Sequence, residues 1–158
     1  MTQEVLATVS ASVPRRWLGV GMMGLLGALL LYIALSIPPD NLAWQAFLII
    51  IGLAALYMAE KTRRATERVV ELTSECVRLD DGQVLTTIDK IDHISRGMFA
   101  MKPSNGFVMV LNENRSRAWQ PGLWWAFGKR VGIGGVTPGS QTKFMAQILE
   151  AMIAERNF

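Results

Sequence analysis

The sequence predicts an α+β membrane protein: a two-helix transmembrane hairpin, then a small antiparallel β-sheet or partly open barrel capped by a C-terminal amphipathic helix. Three observations lead there. Residues 17–37 and 42–59 are apolar runs of 21 and 18 residues without a single charge. Each is long enough, at about 1.5 Å per helical residue, to cross about 30 Å of hydrocarbon. The rest of the chain, from Glu60 onward, is polar, punctuated by glycine and rich in short β-prone runs. It closes on a segment of helical periodicity.

Residues 1–16 contain small and polar residues and no long apolar face, which predicts a flexible tail with Pro14 as a stop before Arg15 and Arg16. The hairpin follows over 17–59, with Pro38, Pro39, Asp40 and Asn41 as its turn. Orientation is read from the basic residues, which resist translocation. Arg15 and Arg16 precede the first span, and Lys61, Arg63, Arg64 and Arg68 follow the second, whereas the turn carries none. Both termini are therefore expected in the cytoplasm. Trp17 and Tyr57 would anchor the cytoplasmic edge, and Tyr32 and Trp44 the opposite one, since an apolar ring with a polar tip suits the interface. Arg15, Arg16, Lys61, Arg63 and Arg64 complete this interfacial set. A secretory signal ending near Ala34-Leu35-Ser36 is the competing reading, but the run is too long and a second span follows at once.

Small residues recur at matching spacing in both spans. Gly21, Gly24 and Ala28 lie at i, i+3, i+7 on the first helix, and Gly52, Ala55 and Ala59 repeat the pattern on the second. In an antiparallel hairpin these triplets fall at equal depth, pairing Ala28 with Gly52, Gly24 with Ala55 and Gly21 with Ala59. Lipid offers no hydrophobic drive between helices, so close approach across small residues is the expected source of packing. No charged side chain lies within either span, which argues against a transporter, channel or proton relay.

Residues 60–70 read as a juxtamembrane helical linker, free of glycine and proline. The domain is expected over 71–158. Cys76-Val77-Arg78-Leu79 and Val84-Leu85-Thr86-Thr87-Ile88 flank Asp80-Asp81-Gly82, a strand–turn–strand pattern. Residues 93–99 predict a further strand. Phe107-Val108-Met109-Val110-Leu111 follows a Lys102-Pro103-Ser104-Asn105-Gly106 turn. Shorter strands are expected at 117–119, 123–125 and 130–133, with Pro121-Gly122 turning the chain. Thr137 is suited to cap a helix with Pro138 as its first residue. Phe144, Met145, Ile148, Leu149 and Met152 would then form its apolar face.

Antiparallel strands closed by one C-terminal helix, over roughly residues 71–155, resemble the pleckstrin-homology-like domain fused to membrane hairpins in small bacterial proteins. The 102–107 turn and the stretches 121–125 and 132–137 look like those of uncharacterised bacterial two-span proteins. That resemblance implies the bacterial inner membrane and transfers no activity. Lipid-binding members of the broader fold carry basic residues in the first hairpin loop, read here as the acidic Asp80-Asp81-Gly82.

The chemistry-bearing residues are few. His93 is the sole histidine and Cys76 the sole cysteine, so a disulfide within the chain and a cysteine-rich metal site are excluded. Asp89 and Asp92 near His93 read as turn or surface residues, and no cofactor or metal ligand set is expected. Gly132-Ile133-Gly134-Gly135 fits either an anion-binding loop or a strand that bends close to its neighbours. From Glu60 onward there are 14 Lys and Arg against 11 Asp and Glu, too weak an excess for nucleic-acid binding. Trp119, Trp124, Trp125 and Phe127, followed by Lys129 and Arg130, form the densest aromatic and basic cluster and the expected partner-binding surface.

The function expected from these features is that of a non-catalytic, membrane-anchored accessory subunit or scaffold of a larger inner-membrane complex, with respiratory and photosynthetic assemblies as natural hosts. Its partners would be the bilayer and an integral membrane protein. The alternative is a membrane-surface sensor that binds anionic headgroups through the juxtamembrane and aromatic-basic segments. An enzyme of unknown type is the third reading.

Overall fold

A computed structural model describes residues 3–97 and 101–158. The chain divides into two compact units, one of Val13–Arg64 and one that joins the first dozen residues to Ala65–Phe158.

The first unit is an antiparallel helical hairpin, α1 (Val13–Ser36) and α2 (Leu42–Ala65), and both helices are long and apolar enough to cross a membrane. Pro14 does not stop a helix. It sits in the first turn of α1, where its missing N–H would have had no helical partner. The turn is closed by side chains. Asn41 Oδ1 accepts the Ala43 N–H at 2.9 Å as an N-cap, and Gln45 Nε2 donates to the Ala34 carbonyl at 2.9 Å, satisfying an acceptor in the last turn of α1.

The second unit holds two antiparallel sheets and a C-terminal helix, an α+β layout. The four-stranded sheet has the order β1 (Val5–Ser10), β2 (Val69–Thr73), β3 (Cys76–Leu79), β4 (Val84–Thr87). A short 3₁₀ turn, Ile88–Lys90, leads to the three-stranded sheet of β5 (Ile91–Ser95), β6 (Phe107–Gln120) and β7 (Trp124–Ile133). The helix α3 (Gly139–Arg156) follows. One hydrophobic core runs through all of it, including Val9, Leu72, Leu85, Phe107, Met109, Leu123, Trp124, Ile133, Met145 and Leu149.

The N-terminal segment is where the structure departs most from the sequence reading. It is not a flexible tail: Thr8, Val9 and Ser10 stand opposite Glu71, Val70 and Val69, and Ala7 and Val9 are buried in the core. Alternation drives this, since Ala7 and Val9 share one face and Thr8 takes the other. The end of β1 is fixed twice more, by Ser10 N–H to Gln141 Oε1 at 3.0 Å and Ser12 N–H to the Val136 carbonyl at 2.8 Å. The hairpin is therefore an insertion between two paired strands.

Other boundaries shift for local reasons. Helix α2 ends at Ala65, and Val69 and Val70, assigned to the helical linker, start β2, where β-branched residues pack better. Asp80-Asp81-Gly82 consequently belongs to the third strand connection, β3 to β4, and its carboxylates pair with Arg68. The short strands expected at 117–119, 123–125 and 130–133 are parts of the long β6–β7 ribbon, joined at the expected 121–122 turn. The strand expected over 93–99 begins earlier, at Ile91, and its residues 98 and 99 lie outside the described residues. Helix α3 starts one residue after Pro138, and Thr137 donates to the Asn105 carbonyl instead of capping. Its buried face is Thr142, Met145, Ala146, Leu149 and Ile153, while Phe144 is 55% exposed.

An aspartate at Val9 would place an unpaired carboxylate among core side chains, at a cost of about 3–5 kcal/mol. Val9→Asp should therefore unfold the domain of the detergent-solubilised full chain at much lower urea, followed by tryptophan fluorescence. Glu4→Ala, on an exposed residue before β1, should leave the midpoint in place.

Candidate interaction surface

The surface is built by a ribbon that folds back on itself. β6 and β7 pair from Phe107↔Ile133 to Val110↔Arg130. The register then shifts twice on β6 before Ala118↔Ala126, Trp119↔Trp125 and Gln120↔Trp124. Extra residues on one strand bend and twist a pair. The bend brings the ribbon tip back to its own base, where Gly134 N–H donates to the Leu123 carbonyl at 2.8 Å and Val136 N–H to the Gly122 carbonyl at 3.1 Å.

This closure decides what the glycine-rich segment does. A Cβ on Gly135 would stand 2.6 Å from the Gly122 backbone, and one on Gly134 would stand 2.6 Å from Gly106 Cα. Gly135 also has φ of +137°, a conformation open mainly to glycine. The N–H groups of Gly134, Gly135 and Val136 are spent on Leu123, Ser104 and Gly122 carbonyls. The segment is thus the seam of the fold, not a loop of free amides awaiting an anion.

Curling sorts the aromatic residues. Ala118 and Ala126, directly opposite, pack toward the core, so Trp119, Trp125 and Phe127 take the other face. Trp119 is 51% and Phe127 62% exposed. The Trp125 ring lies over Gly132, where any Cβ would meet it at 2.4 Å. Trp124 is only 2% exposed, so it leaves the expected partner-binding set and joins the core. Among the described residues its indole N–H has no hydrogen-bond partner, and the Arg115 guanidinium carbon stands 5.7 Å from its ring centre. Arg117, which the sequence reading did not select, stacks 5.5 Å from the Phe127 ring centre. Together Arg117, Trp119, Trp125 and Phe127 line a shallow cleft of about 300 Å³.

The charge left on this ribbon is positive. Glu113 is paired with Lys90 at 2.6 Å, and that bond raises the Lys90 pKa above its ordinary value. Arg115 donates to the Val84 carbonyl at 3.1 Å, tying β6 to β4, and burial lowers its pKa. Lys129 and Arg130 are exposed. Arg130 lies opposite Val110, two residues before Gly132, and so shares the face on which Trp125 rests.

The remaining sequence-selected residues are scattered. His93 is exposed on β5, its Nδ1 2.7 Å from Asp92 Oδ2. Cys76 is buried at the β2–β3 turn, its Sγ 3.5 Å from Thr73 Oγ1. Among the described residues no three His, Cys, Asp or Glu side chains converge as a metal site.

In the hairpin, Trp17, Tyr32, Trp44 and Tyr57 are all exposed. Trp17 lies 5.3 Å from the Arg16 guanidinium, and Trp44 packs edge-on against Phe47. Arg16 donates to the Arg63 carbonyl at 3.2 Å, joining the two open ends of the helices, and Glu60 holds Arg63 and Arg64 at 2.8 and 2.6 Å. Arg15 and Lys61 also engage partners.

The close approach of α1 and α2 falls one position away from the expected triplet. A Cβ on Gly27 would stand 2.8 Å from the Gly52 carbonyl oxygen and 2.9 Å from Leu56, while one on Gly52 would meet Leu31 at 2.9 Å. Gly21 and Gly24 have open space there, and Ala28 is exposed. On α2, Gly52 lies in the contact, Ala59 is buried and Ala55 is partly so. One residue turns a helix by about 100°, enough to move a stripe off the contact face.

Comparison of the chain with protein-family models, curated proteins and solved structures finds no match.

Gly27→Leu should force the helices apart at a cost of about 1–3 kcal/mol, whereas Gly24→Leu should be tolerated. Thermal unfolding in mild detergent should show a lowered Tm for Gly27→Leu alone. Equal losses for both would return the contact to the expected triplet.

Proposed function

We propose that this chain is a membrane-spanning, non-catalytic docking module that serves as an accessory subunit or scaffold of a larger inner-membrane complex. The observation that carries this reading is the insertion of the apolar hairpin between paired strands. Two residues separate β1 from α1 and three separate α2 from β2. Ser10 and Val69 are direct partners in the sheet, about 5 Å apart. A membrane-inserted segment pinned at both ends in this way crosses an even number of times. It returns its flanks to one side, where linkers of two and three residues join them to adjacent strands of the domain.

The arrangement of a four-stranded and a three-stranded antiparallel sheet with a C-terminal helix supports the pleckstrin-homology-like reading. The basic flanks of the hairpin, Arg15 and Arg16 before it and Lys61, Arg63 and Arg64 after it, support a cytoplasmic domain in a bacterial inner membrane. A scaffold needs complementary surface and no reaction chemistry. The lipid-facing side chains of the hairpin, among them Leu25, Leu29, Phe47 and Ile50, are exposed and suited to lateral contact with an integral membrane protein.

Gentle-detergent purification of the full chain from its native membrane, with mass spectrometry, should recover an integral membrane companion at fixed ratio. Recovery of the chain with lipid alone contradicts the accessory-subunit reading.

A further inference from the structure

We propose that the outer face of the β6–β7 ribbon, formed by Arg117, Trp119, Trp125, Phe127 and Arg130, rests in the headgroup layer of an anionic phospholipid bilayer. This goes beyond the scaffold reading and rests only on insertion of the hairpin. Three observations lead to lipid as the occupant.

The composition of the face is the first. Trp119 and Phe127 spend half or more of their surface on solvent, although the other face of the same ribbon buries Trp124 and Ala126. Indole and phenyl rings flanked by guanidinium groups match a layer that is apolar on one side and phosphate-rich on the other.

The second is charge. With Glu113 bound to Lys90 and Arg115 committed to Val84, the other charged residues of the 112–130 ribbon are Arg117, Lys129 and Arg130. An acidic surface is the complement of that set. Each cation near an anionic leaflet contributes attraction that falls off within a Debye length, so it acts only on a domain kept close.

The third is the tether. Linkers of two and three residues on adjacent strands keep the domain within reach of the bilayer that its own hairpin enters. The surface it meets most persistently is lipid. The rigid backing of Trp125 on Gly132 adds to this, because a ring already held in place loses little freedom on contact.

The test uses the full chain in nanodiscs with Cys76→Ala and a single nitroxide label, either at Phe127→Cys on the face or at Ser74→Cys in the exposed β2–β3 turn, at the end of β2 opposite Val69. In phosphatidylglycerol discs the label at 127 should be shielded from a water-soluble nickel relaxant and accessible to oxygen, while that at 74 should show the reverse. Phosphatidylcholine discs, high salt, or the added pair Arg117→Glu and Arg130→Glu should abolish the shielding at 127. Trypsin resistance of the domain would establish that the variants remain folded. A label at 127 that is as open to the relaxant as that at 74 in phosphatidylglycerol overturns the proposal. So does shielding in native membranes but not in lipid discs, which would assign the face to a protein. Either result leaves the companion search of the scaffold reading to be decided separately.

Discussion

The pairing of β1 with β2 is the constraint on which the rest of this structure depends. The two strands are separated in sequence by the whole hairpin, yet their residues stand in direct register from Thr8↔Glu71 to Ser10↔Val69. Closing so long a loop costs entropy, which grows only slowly with length. Here the loop is itself two packed helices, so its ends are held near one another by the Gly27–Gly52 contact and the Arg16–Arg63 bond as well as by the strands. The return is burial of Ala7 and Val9 in the common core and a fixed seat for the end of β1 on Gln141 and Val136. Folding of the domain and formation of the hairpin are thereby linked through the chain itself.

A second closure works on a smaller scale. The β6–β7 ribbon curls until Gly122 and Leu123 bond to Val136 and Gly134, and the glycines at 106, 132, 134 and 135 occupy the points where backbone or ring leaves no room for a side chain. The curl puts Leu123 and Trp124 inside and turns Trp119, Trp125 and Phe127 outside. Surface and core are therefore two faces of one ribbon. The exposed aromatic face follows from the same alternation that fills the core.

The apolar runs, the hairpin turn, β3, β4, the 121–122 turn and the C-terminal helix were legible in the sequence because each rests on local signals: charge-free length, a turn dipeptide, periodicity. What was not legible depends on distant partners. Val5-Leu6-Ala7-Thr8-Val9-Ser10 carries the alternation of a half-buried strand. Its partner lies beyond two membrane-length helices, and a short polar N-terminal segment reads as a tail when that partner is not in view. The glycine stripe of α1 missed by one residue because spacing alone fixes a face only to within a helical step, and the depth of the turn had to be assumed. Trp124 and Trp125, adjacent on a strand, face opposite ways, but which of them is buried follows from the register shift on β6. Arg117 and Phe127 became neighbours through cross-strand pairing, for which sequence spacing offers no signal.

The most direct measurement is a disulfide between β1 and β2. Thr8 and Glu71 are opposed partners on the face away from the core, so Thr8→Cys and Glu71→Cys in a Cys76→Ala background, with a protease site placed in the 38–41 turn, provides the readout. Oxidation of the full chain in its membrane should join the two halves, which then stay together after cleavage until reductant is added. Halves that separate after cleavage without reductant, with both thiols open to alkylation, would contradict a hairpin inserted between paired strands.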